Sequence, residues 1–315
     1  MPNLNQTIKD IKSIKIQGAS NICRASIAAW YDYLSRWRVR QVGSYLSEAK
    51  RVGNLLAKTR PDEPLAVNAF KYLNKRLEDA RRVKNPQSDV AGLKKLSKQA
   101  VADWSTLIHE NGKRLAFWGA KMIKNKENIF THCHSRTVIN VLAKAKEDKK
   151  KIHVYHDETR PLMQGRLTAE DLARLNIEST MVVDAAAAFL VSNFSGDKVK
   201  IDKVIIGFDV ILPDNSALNK IGSFGIALAA YTSKIPVYLA GSLLKKTTQK
   251  MEIELRAKKE VWANGPKETQ IVNFAFDRIP TQLITGYITE FGIIKPSEVD
   301  KYVKKYYPWT LKNQN

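Results

Sequence analysis

A chain of 315 residues, 44% of them hydrophobic, has enough apolar material to bury a core in one large or two modest domains. Its 52 Lys+Arg against 31 Asp+Glu give a net charge of +21, a balance that attracts polyanions such as RNA, acidic proteins or phosphorylated metabolites without specifying one. With two cysteines, Cys23 and Cys133, no zinc-finger spacing, no RNA-binding motif and no apolar run near the roughly 20 residues a membrane span needs, the pattern excludes a disulfide scaffold and a membrane protein.

The first ~120 residues read as successive helices from the apolar spacing. Ile8, Ile11, Ile14 and Ile16 open an amphipathic segment, and Ser20 is expected to cap a second helix through Ile22, Ile27, Trp30 and Leu34. A third runs over Val42, Leu46, Val52 and Leu56 to Arg60-Pro61; Pro61 and Pro64 bracket a turn. Val67, Phe70, Tyr72 and Leu77 mark the fourth. After Asn85-Pro86 a long helix is predicted through Leu93, Trp104, Leu115 and Met122. These stripes read as packing surface.

Beyond Lys126 the pattern changes. Strand-like runs at Asn128–Thr131, Ile152–Tyr155, Thr180–Val183, Lys203–Gly207 and Val237–Leu239 alternate with helical stretches at Val138–Lys146, Ala169–Leu175, Ala185–Val191 and Ile226–Thr232. The predicted architecture is therefore an α-helical domain over 1–125 followed by a Rossmann-like α/β domain with a parallel sheet over 126–315. Functional residues of such a sheet belong at the carboxyl ends of its strands.

The first strand leads into Thr131-His132-Cys133-His134-Ser135-Arg136-Thr137 and then a helix. A thiol at a helix N-terminus is expected to have a lowered pKa, and the first-turn amides with Arg136 form a candidate phosphate site; the alternative is an inert small core residue. His132 and His134 alternate on extended chain and face opposite ways, so no metal site is expected. His153 and His156 read as packing or surface residues. Asp209, after the apolar strand ending at Gly207, belongs at the same rim as Cys133, where desolvation suits a general acid; otherwise it caps a turn. Asn219, Lys220 and Lys245 bring further donors and positive charge to that rim. Upstream, Gln17-Gly18-Ala19-Ser20 is either an anion cradle or an ordinary helix cap, and Arg60 is a candidate phosphate fork. There is no Walker loop and no GxGxxG.

Taken in order, Ile16–Ser20, Thr59-Arg60-Pro61, Thr131–Ser135, Glu158–Leu167, Gly207-Phe208-Asp209, Asn219–Gly222 and Asn273–Asp277 resemble the initiation factor 2B α/β/δ-like superfamily, whose enzyme branches include ribose-1,5-bisphosphate and methylthioribose-1-phosphate isomerases. The isomerases carry a Cys after Thr-His and an Asp after Gly-Ala; Cys133 and Asp209 stand at those positions. The resemblance implies a cofactor-independent aldose–ketose isomerase acting on a sugar 1-phosphate, most like the ribose-1,5-bisphosphate type. Asp209 would then be the acid and Cys133 the base, with Gln17, Gly18, Ala19, Ser20, Arg60, Ser135, Arg136, Thr137, Asn219, Lys220 and Lys245 binding phosphate. It equally implies a dimer or hexamer. A rival reading is a non-catalytic regulatory subunit that binds initiation factor 2, with a nucleotide or sugar phosphate as ligand. His134 in place of Asn, Arg136 in place of a small residue or Lys, and Phe208-Asp209-Val210 in place of Ala-Asp-Arg depart from the isomerase pattern. Met1–Lys15 has no apolar signal core, so a cytoplasmic location is expected.

Overall fold

Helices α1 (Leu4–Lys12), α2 (Ala19–Arg36), α3 (Val42–Ala57), α4 (Pro64–Arg82) and α5 (Val90–Met122) follow one another as the apolar spacing predicts. The computed structural model describes residues 3–82, 89–194, 196 and 199–311; the expected helix start at Asn85-Pro86 lies outside them. The chain divides into two compact units: residues 1–110 with 244–248 and 302–315, and residues 111–243 with 249–301. Helix α5 runs unbroken through the division at Glu110.

In the helical unit, Trp30, Leu34, Tyr45, Phe70 and Trp104 are essentially fully buried. Each such side chain contributes about 1.5–3 kcal/mol of transfer free energy. Two polar tips find partners inside this core: Trp30 Nε1 donates to the Ala49 carbonyl at 2.9 Å, and the Tyr45 hydroxyl meets Ser97 Oγ at 2.9 Å. The start of α2 differs from the expectation. Gly18, at φ 82°, is the residue before the helix, and Ser20 lies in the first turn without capping it. A left-handed residue at that corner suits glycine, which has no Cβ to clash.

The α/β unit contains a seven-stranded sheet built from β1 (Glu127–Thr131), β2 (Ile152–Asp157), β3 (Glu178–Val182), β4 (Lys203–Gly207), β7 (Val237–Ala240), β9 (Gly286–Thr289) and β10 (Gly292–Ile294), in the order β10-β9-β7-β4-β1-β2-β3. All neighbours are parallel except β9 and β10. Helices α6 (Arg136–Glu147), α7 (Gln164–Arg174), α8 (Asp184–Val191) and α9 (Ser223–Thr232) lie between strands in sequence. A small antiparallel sheet of β5 (Val210–Ile211), β6 (Ala217–Lys220) and β8 (Phe276–Ile279) adds to this unit. Helix α10 (Val299–Tyr306) follows the last strand.

Strand order determines where chemistry can occur. From β1 the chain moves outward to β2 and β3, then returns so that β4 pairs with β1 on its other side, Ile129 opposite Lys203 and Phe130 opposite Val204. The connections leaving β1 and β4 diverge, which makes their carboxyl ends the usual ligand position of an open α/β sheet. Cys133 leaves β1 and Asp209 leaves β4.

Candidate active site

Cys133 has φ 63°, a left-handed conformation that is uncommon for a residue with a side chain. The segment between β2 and α7 holds it there. Its N–H donates to Thr159 Oγ1 at 3.0 Å, its carbonyl accepts from Thr168 Oγ1 at 2.8 Å, and its Sγ–H donates to Gln164 Oε1 at 3.6 Å. This segment packs with no space to spare: a Cβ at Gly165 would stand 1.8 Å from the Asp157 carbonyl oxygen. Asp184 anchors the same segment by accepting from the amides of Thr159 and Arg160, each at 2.7 Å.

The thiol does not behave as the helix-dipole argument predicts. Burial pushes Cys133 up to about 12; the Lys220 charge and the His134 amide pull it down, while Asp209 and Asp157 push it further up. The N-cap of α6 is Ser135, whose Oγ accepts from the Val138 amide at 3.5 Å. Cys133 is therefore two residues outside the helix, where desolvation and two carboxylates outweigh the dipole. The resting residue is a thiol, which corrects the expected thiolate. The same balance shows that Asp209 and Lys220 lie within electrostatic reach of the sulfur.

Asp209 is half-buried, and its amide donates to the Leu218 carbonyl at 2.9 Å, fixing β4's exit against β6. The preceding Phe208 turns away into the core: its ring meets Tyr287 edge-on at 5.4 Å, and a Cβ at Gly241 would come within 2.6 Å of it. Gly207 is equally constrained, since a Cβ there would stand 2.6 Å from Ser135 Oγ. The strand ends carrying Cys133 and Asp209 are thus in direct contact.

On β6, Asn219 and Lys220 are buried. Asn219 Nδ2 donates to Ser223 Oγ at 2.8 Å, and Lys220 Nζ lies 5.0 Å from the centre of the Phe276 ring. The α9 start is not an open anion site. Asp277 Oδ2 accepts from the amides of Gly222 and Phe224 at 2.8 and 2.9 Å, so donors that the sequence reading offered to a ligand are already occupied. Burial raises the Asp277 pKa, opposed by those amides and by the His132 charge. Glu260 is held low by its ion pair with Arg256, against the desolvating effect of burial and with help from Asn273 and Lys220.

The two histidines beside Cys133 engage different carboxylates: His132 Nδ1 contacts Asp157 Oδ2 at 2.6 Å, and His134 Nε2 contacts Asp171 Oδ2 at 2.9 Å. Among the described residues no group of three or more His, Cys, Asp or Glu side chains is arranged to hold a metal. Arg136 is exposed and Ser135 and Thr137 half-exposed at the start of α6. His153 is half-exposed beside Thr180, and His156 is buried.

The remaining predicted residues belong to the helical unit. Gln17, Gly18 and Ser20 are exposed and Ala19 is buried around the α2 start, where the Gln17 carbonyl accepts from Asn21 Nδ2 at 3.1 Å. Ser20 borders a cavity of about 140 Å³ with Cys23, Arg24, Leu65 and Trp104. Arg60 Nε stands 3.5 Å from Asp62, and Lys245 is half-buried at the end of a short 3₁₀ turn. Sequence reasoning assigned no role to Asp157, Thr159, Gln164, Thr168 or Asp277. The one signal available was the density of polar residues in Glu158–Leu167.

Comparison with known proteins agrees with this architecture. The sequence pattern of the initiation factor 2 subunit family matches residues 15–296. Ribose 1,5-bisphosphate isomerase of Methanocaldococcus jannaschii is 32% identical, over 99% of this chain and 98% of its own. Methylthioribose-1-phosphate isomerase of Desulforamulus reducens is 29% identical, over 94% and 88% respectively. Among solved structures, the delta subunit of translation initiation factor 2B from A. fulgidus superposes with a TM-score of 0.72 at 26% identity, covering 96% of this chain and 91% of that one.

Proposed function

The chain belongs to the initiation factor 2 subunit family, and from that premise we propose that it is a cofactor-independent aldose–ketose isomerase acting on a sugar 1-phosphate, most like ribose 1,5-bisphosphate. The observation that carries the proposal is the pairing of β1 with β4, whose carboxyl ends lead into Cys133 and Asp209, with Asp209 and Lys220 both in electrostatic reach of the sulfur.

A phosphate on C1 blocks the anomeric hydroxyl and so locks the sugar ring. Opening it needs an acid at the ring oxygen, and moving the carbonyl needs a base to remove the C2 proton. Asp209 fills the first role and Cys133 the second. The resting site holds its proton on sulfur. Shifting that proton from Cys133 to Asp209 produces thiolate and carboxylic acid without changing the site's total charge, so the reactive form is a tautomer of the resting one. Asp209 then protonates the ring oxygen as the C1–O bond opens to the aldehyde-level intermediate. Cys133 takes the C2 proton and the electron pair forms the enediol. Cys133 then returns that proton to C1 while Asp209, left as carboxylate by ring opening, takes the C2 hydroxyl proton, which completes the ketose and restores the starting form of the site. Within the α/β unit, Asn219, Lys220, Ser135, Arg136 and Thr137 supply phosphate contacts in this reading. The test is incubation of the purified protein with a panel of sugar 1-phosphates while ketose formation is followed. Cys133→Ser should keep the fold and lose turnover, and unchanged isomerisation by that variant removes the proposal.

The second reading is a regulatory subunit, supported by the likeness to the A. fulgidus translation factor and by the +21 net charge. Co-purification of initiation factor 2 from native lysate, with no ketose formed from any sugar 1-phosphate, favours it. General RNA attraction predicts binding that collapses with salt and ignores Cys133. In either reading we expect a homo-oligomer, dimer or hexamer: Met181 on β3, Val183 just before α8, Phe189 on α8, and Leu228 and Tyr231 on α9 are large apolar side chains left exposed. Among the described residues no helix is long and apolar enough to cross a membrane.

A further inference from the structure

His132 has both ring nitrogens committed although its side chain is buried. Nε2 stands 2.9 Å from the Ile221 carbonyl oxygen. A carbonyl cannot donate, so Nε2 carries a proton. Nδ1 stands 2.6 Å from Asp157 Oδ2. The other oxygen of Asp157 accepts from Thr159 Oγ1–H at 2.8 Å, because the Thr159 lone pair already receives the Cys133 amide. With one Asp157 oxygen already an acceptor and Asp277 adding a second negative charge at the ring, the Nδ1–Asp157 contact is read as an imidazolium–carboxylate pair.

The groups acting on the ring come from three elements. Asp157 lies on β2 and Asp277 on β8; the turn between β6 and α9 contributes the Ile221 carbonyl and Gly222, where a Cβ would stand 3.0 Å from ring Cε1. The next residue along β1's exit is the Cys133 thiol. No cation faces the ring among these groups, and two carboxylates do.

We propose that His132 is an imidazolium at neutral pH and the positioning residue of this site, ion-paired with Asp157 so that it fixes the left-handed Cys133 and the turn carrying Lys220 in one geometry. The linkage is continuous: Cys133 N–H to Thr159, Thr159 to Asp157, Asp157 to His132, and His132 to the Ile221 carbonyl. A hydrogen-bonded chain of buried groups polarises and rigidifies its members. Its ends hold the sulfur on one side and Lys220 on the other. His132 touches no reacting atom and exchanges no proton in the reaction. Only the kinetic consequence rests on the isomerase reading; the protonation state stands without it.

The test uses the intact protein with ¹⁵N-labelled histidine rings. At about pH 8, above the ordinary histidine value of about 6.5, both His132 nitrogens should give imidazolium shifts. A neutral His132 ring at that pH overturns the proposal. The second measurement is steady-state kinetics of His132→Gln and His132→Asn, with circular dichroism to show they fold. The expected result is a kcat lowered at least about tenfold with KM changed far less, since the groups that face substrate remain. Wild-type kcat in a folded His132→Gln also overturns the proposal. A wild-type protein that isomerises no sugar 1-phosphate sinks the isomerase reading alone, and the ring shifts then decide this one.

Discussion

Burial pushes both cysteines of this chain, one in each unit, above the ordinary thiol range, but their surroundings differ. Cys23 sits inside the regular helix α2, its Sγ–H directed at the Leu65 carbonyl at 3.8 Å. Burial pushes it up to about 12, with Trp104 opposing and Glu63 adding to the effect. Burial also pushes Cys133 up to about 12, but on a left-handed loop where Lys220 opposes the shift and two carboxylates add to it. A raised pKa therefore identifies neither residue as functional. What separates them is stored strain and mobile charge: the helical unit keeps its thiol in relaxed geometry among apolar neighbours, while the α/β unit holds its own in a strained conformation by a polar network.

The sharpest way to break this contrast is to remove each thiol in turn. Cys133→Ser and Asp209→Asn should each lower isomerisation by roughly 100- to 10,000-fold, the range for losing a general acid or base. Cys23→Ala should leave turnover within a factor of two or so and cost about 1–2 kcal/mol of stability from the cavity it leaves. Equal kinetic losses at the two positions would abolish the distinction.

Backbone clearance gives the next largest effect. Gly165→Ala forces a methyl group into the Asp157 carbonyl at 1.8 Å, so α7 must shift away from the Cys133 loop. A loss of about 3 kcal/mol is expected in urea unfolding. Because the shift moves Gln164 and Thr168 with it, turnover should fall as well. A variant with wild-type stability would show the loop to be less tightly held than its hydrogen bonds imply.

Proton affinity can be read directly by alkylation. The thiolate is the reactive form, so with a pKa of about 12 the rate at Cys133 should rise about tenfold per pH unit from neutrality toward pH 10. Mass spectrometry of the labelled peptide follows it. A plateau near the ordinary thiol value of about 8.5 removes the desolvation argument. His132 supplies the companion pH effect on stability. Burial alone would lower its pKa, but the Asp157 hydrogen bond and charge, the Asp277 charge and the Ile221 carbonyl raise it. Its contribution is complete below the unfolded value of about 6.5 and disappears as pH rises through the higher folded value. The stability gap between wild type and His132→Asn should therefore narrow on the alkaline side.

The order of helices and the strand–helix alternation were readable because each rests on short-range periodicity, and the carboxyl-end rule pointed to one rim; the pairing of β1 with β4 was not readable, since strand order is set by long-range contacts. Cys133 and Asp209 follow from that rule alone. Thr159, Gln164, Thr168 and Asp277 were not readable, because their roles depend on partners 26, 31, 35 and 55 residues away and on geometry that no spacing encodes. The direction of the Cys133 shift failed for a physical reason: the helix dipole acts within its first turn, whereas desolvation acts wherever the side chain lies. The α9 amides were misjudged for a similar reason, since the carboxylate that occupies them arrives from a distant strand. At α2 the sequence offers both Gly18 and Ser20 as boundary residues, and the left-handed corner selects glycine.

The smallest expected effect lies deep in the helical unit and sets the scale for the others. The Tyr45 hydroxyl meets Ser97 Oγ, and Ser97 donates its own proton to the Leu93 carbonyl at 2.9 Å, so Tyr45 is the donor of the pair. Tyr45→Phe removes that hydrogen bond but leaves Ser97 its partner, so no buried donor is stranded. The cost should be about 1 kcal/mol, a few degrees at most in Tm for a chain of this size. Isomerisation should be unchanged. A fall in kcat comparable to that of Gly165→Ala would mean that packing among α3 and α5 reaches the chemistry, and the contrast between a relaxed helical unit and a strained α/β site would then have to be given up.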